Sequence, residues 1–139
     1  MSFRMYAEAN DMELVTTKRR MKMKFLHVTI QTPAFDEEIR FYETYAGLTV
    51  RKDMRPMGRD MVFLSDAEGD TEVEIIRNPD AAGVECPSLS IGFHAEDPDA
   101  LHQRLTADGF AVTPFISPMP QVRFFFATDP AGLQVQFMG

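Results

Sequence analysis

The sequence predicts an α+β fold made of two tandem βαβββ modules, and three observations predict it. Stretches with apolar side chains at every second position alternate with two shorter stretches of helical periodicity. Turns rich in Gly, Pro and Asp punctuate them. The order of elements in the first half then recurs in the second.

The first strand is KFLHVTIQT, which sets Phe25, His27, Thr29 and Gln31 on one face and Leu26, Val28 and Ile30 on the other. Thr32-Pro33 offers an N-cap and a first-turn proline, and Asp36 and Glu37 suit the positive end of a helix. Phe35, Ile39, Tyr42 and Ala46 recur at helical spacing until Gly47. Three strands follow at 48–54 (LTVRKDM), 60–66 (DMVFLSD) and 71–77 (TEVEIIR), separated by Pro56/Gly58 and by the acidic turn 67–70. The stretch 78–87 reads as a linker.

The second half opens with a strand at 88–94 (SLSIGFH). Asp97-Pro98 caps a helix with Leu101 and Leu105 inward and Gly109 as its stop. FAVTPF (110–115), VRFFFAT (122–128) and LQVQFM (133–138) complete the strands, and Phe110-Ala111-Val112 answers Leu48-Thr49-Val50 after the first helix. The expected organisation is one domain over 24–139, with modules 24–77 and 88–139 joined by 78–87. Residues 1–23 hold five of the ten methionines and end near the basic cluster Lys18, Arg19 and Arg20. They are expected to lie outside the fold, either as a loose tail or as an arm against a partner.

A chain of 139 residues with 45% hydrophobic content suits one globular domain. A net charge of −7, with no concentrated Lys/Arg face after residue 24, argues against nucleic acid. Cys86 is the only cysteine, so no disulfide forms within the chain and a cytoplasmic setting is expected. No apolar run approaches the roughly 20 residues of a membrane span.

Parity along the strands sorts the domain into two faces. Leu26, Val28, Ile30, Val73, Ile75, Leu89, Ile91, Phe93, Val135 and Phe137 are expected to face the helices. The opposite face collects His27, Thr29, Gln31, Glu72, Glu74, Ser90, Gly92, His94, Gln134 and Gln136. Burying so many polar groups in a core is costly unless they are paired or hydrated, so this face reads as a cleft. Phe124, Phe125 and Phe126 put rings on both faces, one for the cleft and one for the core.

FLHVTIQTPAFDEEIRFYETYAGLTV, with its Phe41-Tyr42 pair and closing Gly47, and DPAGLQVQF (129–137), with its DP-x-G turn before a last strand, resemble the vicinal-oxygen-chelate superfamily of glyoxalase, bleomycin-resistance and dioxygenase type. The resemblance implies a cup-shaped mixed sheet whose convex side packs on the helices and whose concave side holds a small ligand. It implies a homodimer as well, because such cups are commonly completed between two copies.

Metal-dependent members place one ligand on the first and last strand of each module. Carried across, those positions are His27, Glu74, Ser90 and Gln136, of which only His27 and Glu74 are strong donors. His94 shares the parity of Ser90 but lies four residues on, about 13 Å along a strand, too far for the same ion. No tightly held metal or other cofactor is expected; a weaker divalent site for Ni, Zn, Co, Mn or Fe would use His27, Glu74 and Gln136. His27 has two readings, a hydrogen-bonded partner of Glu74 or a ligand-binding group. Glu74 is the candidate base for a proton beside a carbonyl. His102 and Cys86 read as surface and linker residues.

The expected function is binding of a small organic molecule in the cleft, as in the drug-sequestering branch, with His27, Thr29, Glu74, Ser90, His94, Phe124, Phe126 and Gln136 around it. The alternatives are a metal-dependent lyase similar to glyoxalase I, acting on a thiol adduct of an α-ketoaldehyde, and a dioxygenase-like enzyme.

Overall fold

The computed structural model describes residues 21–83 and 86–139. All but the last three residues of the expected N-terminal extension lie outside that range. The first module runs β1 (His27–Thr32), α1 (Phe35–Thr44), β2 (Thr49–Asp53), a 3-10 turn (Arg55–Met57), β3 (Met61–Ser65) and β4 (Glu72–Arg77). The second runs β5 (Ser90–His94), α2 (Pro98–Ala107), β6 (Ile116–Met119), β7 (Val122–Thr128) and β8 (Gln134–Met138). The strands form two four-stranded sheets, β1-β4-β3-β2 and β5-β8-β7-β6. In each, the first and last strand of the module pair in parallel and the rest antiparallel. This is the βαβββ unit twice over.

The expected inner face is largely the observed one. Ile30, Val73, Ile75, Val135 and Phe137 are buried, and Val28, Ile91 and Phe93 are half-buried. Leu26 and Leu89 depart from it: each sits just before its strand begins and is 60% and 52% exposed respectively. Two other boundaries move. Thr32 does not cap α1: it is the last residue of β1, paired with Arg77, and its hydroxyl accepts the Ala34 N–H at 3.0 Å, so the helix starts at Phe35. FAVTPF is not a regular strand. Val112 makes a single bridge to Ala127, and β6 lies further along, at Ile116–Met119. Pro118 is tolerated there because β6 is an edge strand.

The helix α1 fastens the two modules together. It packs on β1 and β4 through Phe35 and Ile39, and it also reaches into the second module. Phe41 meets Phe110 at 5.3 Å between ring centroids, and Tyr42 meets Phe93 at 6.1 Å. The Tyr42 hydroxyl donates to Asp129 Oδ2 at 2.7 Å. Asp129 opens the turn between β7 and β8, where its Oδ1 accepts the N–H groups of Ala131 and Leu133, both at 2.9 Å. Gly132 closes that turn at φ +96°, a conformation that favours glycine. The tyrosine of the Phe41-Tyr42 pair and the aspartate of the DP-x-G turn, more than eighty residues apart, are thus partners in one buried hydrogen bond.

The second helix is simpler. Asp97 caps it by accepting the Ala100 N–H at 3.1 Å, and Leu105 is its fully buried side chain. His102 is half-buried: its Nε2 lies 2.9 Å from the Thr113 carbonyl and its ring packs against Phe115 and Phe125. Phe125 is fully buried. No helix among the described residues is long and apolar enough to cross a membrane.

Candidate functional site

Strand register assembles a polar group on the outer face of the first sheet. Thr29 is in register with Glu74 in the parallel β1–β4 pair, and Phe63 lies opposite Glu74 in the antiparallel β3–β4 pair. The Thr29 hydroxyl donates to Glu74 Oε1 at 2.5 Å, and His27 Nε2 stands 3.5 Å from the same oxygen. Both readings of His27 therefore keep a footing, since it faces Glu74 while its side chain is 37% exposed. Its ring also meets Phe63 edge-on at 5.6 Å.

Glu74 is only 8% exposed. Its Oε2 accepts no protein hydrogen bond among the described residues, yet it is not sealed from solvent either. Among the described residues, then, one oxygen of this carboxylate is anchored and the other has no hydrogen-bond partner. Two neighbours escaped the sequence reading. Phe63 lies under the Lys52 ammonium, 4.9 Å from its ring centroid, and Lys52 Nζ donates to Glu72 Oε1 at 3.1 Å. Lys52 reaches this face because β2 has an irregularity between Val50 and Lys52, where the register against β3 slips.

The second sheet presents its own group. Ser90 pairs with Gln134, and Gln136 lies between Gly92 and Phe126. Gly92 leaves room for the Gln136 amide, whose Oε1 is 3.4 Å from where a Cβ would be. Phe124 and Phe126 share this face, their rings nearly perpendicular with centroids 5.7 Å apart. Ser90, Phe126 and Gln134, with Pro87 and Ser88, line a cavity of about 200 Å³. This wall carries no charge.

His94 stands apart from both groups. It lines a separate, open depression of about 550 Å³ at the end of α1, with Thr44, Tyr45 and Arg104 among its walls. Apart from His94 it contains none of the residues expected at the cleft.

The donor set does not fit a tightly held divalent ion. Among the described residues no group of three or more His, Cys, Asp or Glu side chains converges. His27 and Glu74 make a pair only, and the corresponding positions on the second sheet, Ser90 and Gln136, offer a hydroxyl and an amide.

Residues 24–137 match the family model of the Glyoxalase/Bleomycin resistance protein/Dioxygenase superfamily. The chain belongs to that superfamily. Among solved structures, a possible glyoxalase from Bacillus cereus superposes with a TM-score of 0.67 at 23% identity, covering 85% of this chain and all of the other. An antibiotic binding protein from a Streptomyces species gives 0.63 at 19% identity, covering 85% of this chain and 97% of the other. The fosfomycin resistance protein FosX from Mesorhizobium loti gives 0.62 at 17% identity, covering 86% and 92%. Likeness at these identities speaks for the fold. No curated protein matches the sequence.

Proposed function

We propose that this superfamily member binds a small organic molecule against the outer faces of its two sheets, with Glu74 as the main polar anchor and without a tightly held metal. The observation that carries this reading is the Glu74 carboxylate, nearly buried, pinned through Oε1 by Thr29 and open at Oε2. A largely desolvated carboxylate gains most from a donor that fills its free lone pairs. A ligand N–H or O–H supplies one, with His27 and Phe63 alongside. Ser90 and Gln136 add neutral polar contacts, and Phe124 and Phe126 form an aromatic wall. His94 has no part in this site. That one solved neighbour is an antibiotic binding protein agrees with the binding part of this reading.

Completion of the cup by a second copy belongs to the same reading. The cavity on the second sheet, about 200 Å³, falls below the roughly 300–1,000 Å³ typical of ligand pockets. Strands β1 and β5 each form one of the two edges of their sheets, and Leu26 and Leu89 are exposed at matching positions just before them. Such edges invite pairing with another chain. In the dimer this reading calls for, β1 of one copy would lie beside β5 of the other, with both leucines at the junction. The protein is read as a cytoplasmic homodimer that binds no nucleic acid, in keeping with its single cysteine and net charge of −7.

The test is a thermal-shift screen of antibiotics, thiol conjugates and aromatic metabolites, followed by calorimetry on Glu74→Gln with any hit. The amide keeps the shape but loses the charge, and affinity is expected to fall by roughly tenfold or more, the worth of a hydrogen bond to a charged group. Unchanged affinity places the site elsewhere. Sedimentation should give a dimer; a monomer at every concentration refutes the shared cup. Nickel, zinc, cobalt, manganese or iron held at one ion per chain, together with isomerisation of an α-ketoaldehyde thiol adduct, would replace this proposal with the lyase. Iron with oxygen consumption would favour a dioxygenase.

A further inference from the structure

One buried acid is unused by the ligand site. Glu38 lies on α1 with no exposed surface, and Asp129, at the head of the turn between β7 and β8, is 3% exposed. Their carboxyl groups are close enough to share a donor: the Ala131 N–H is 2.9 Å from Asp129 Oδ1 and 3.2 Å from Glu38 Oε1. The other oxygen of Glu38, Oε2, is buried with no partner. Asp129 is well supplied, with the Ala131 and Leu133 amides on Oδ1 and the Tyr42 hydroxyl on Oδ2, which keeps room for one more donor. Glu38 has one weak bond and an orphan.

Two adjacent buried carboxylates cannot both stay ionised without a cation, and no basic side chain pairs with either among the described residues. The titratable groups that face Glu38 are Asp129 from the second module and Tyr42 from its own helix. Asp129 accepts three donors while Glu38 Oε2 has no partner, so the proton belongs on Glu38.

We propose that one proton, carried by Glu38 and shared with Asp129, latches the first module to the second, and that its loss in alkaline solution loosens the junction between them. Neutral Glu38 can donate to the Asp129 carboxylate; ionised Glu38 repels it. Burial first, and then the neighbouring carboxyl, push the Glu38 acid from its ordinary 4.5 up to about 10. The folded chain therefore keeps a proton that the unfolded chain releases above about 4.5. Stability from this group is complete below that point and declines as pH rises towards the folded-state value.

The experiment is urea unfolding of the full chain at several pH values between about 7.5 and 9.5, above the histidine range and below that of an ordinary tyrosine. Wild type should lose close to tenfold in its folding constant for each pH unit, the slope of one linked proton. In Glu38→Gln the amide N–H₂ supplies the donor permanently, so this slope should flatten, with the variant matching or exceeding wild type at the alkaline end. Equal slopes in wild type and variant overturn the proposal. The infrared spectrum of wild-type protein near pH 7 is a second test that needs no variant. It should contain the carbonyl stretch of an un-ionised carboxylic acid, and lack of that band also overturns the proposal.

Discussion

Replacing Tyr42 with phenylalanine tests the bond that ties the modules together. The ring is fully buried between Phe41 and Phe93, and the substitution leaves it in place, so packing loss is small. What disappears is the donor to Asp129 Oδ2, on a carboxylate that is itself 3% exposed. Leaving a charged buried acceptor short of a partner costs about 1.5–3 kcal/mol. For a domain of this size roughly 4 °C of Tm is lost per kcal/mol, so Tm should fall by about 6–12 °C. The assay is circular dichroism against temperature and against urea, with an unchanged m-value to confirm that the unfolded state is the same.

Tyr45→Phe is the control. Tyr45 also donates to an aspartate of the second module, Asp108, but that bond is exposed to solvent. Water replaces the lost partner there, and the cost should stay below about 0.5 kcal/mol. The reasoning fails if the two variants are equally stable, or if Tyr42→Phe loses less than about 0.5 kcal/mol.

Two further substitutions probe other parts of the fold. Phe125→Ala empties a fully buried site among His102, Phe115 and Phe137 and should cost about 3–5 kcal/mol, read as a drop in the urea midpoint. Asp97→Ala removes the side-chain cap of α2 and should cost about 1 kcal/mol, whereas Asp97→Asn should restore most of it.

The features legible in the sequence are those that repeat at short range. Alternation located all eight strands to within a few residues except β6, and VRFFFAT coincides with β7. The strand expected over 110–115 fails at Pro114, which has no N–H for a ladder, and Thr113 turns its hydroxyl to the Phe126 amide instead. Pairing with β7 resumes only at Ile116. Parity placed His27, Thr29 and Glu74 on one face because they lie in one parallel strand pair. It grouped His94 with Ser90 as well, but parity carries no information about how far along a strand a cavity extends. Lys52 was invisible because its face depends on an irregularity in β2.

Glu38 shows the same limit more sharply. Between Glu37 and Ile39 on a surface helix it reads as one more solvated acid, and its burial comes from a turn more than ninety residues away in the chain. Local pattern predicts which side of an element is oily. It does not predict what arrives from the other half of the molecule.

The junction built by α1 makes the duplication less modular than its repeat suggests. A fragment ending in the 78–87 linker would carry Tyr42 and Glu38 with nothing to receive them, and its complement would hold an Asp129 stripped of its phenolic donor. Each half is thus an incomplete folding unit. Halves made separately should stay unstructured alone and recover helix and sheet signals together on mixing, each supplying the partner that the other's buried polar groups need.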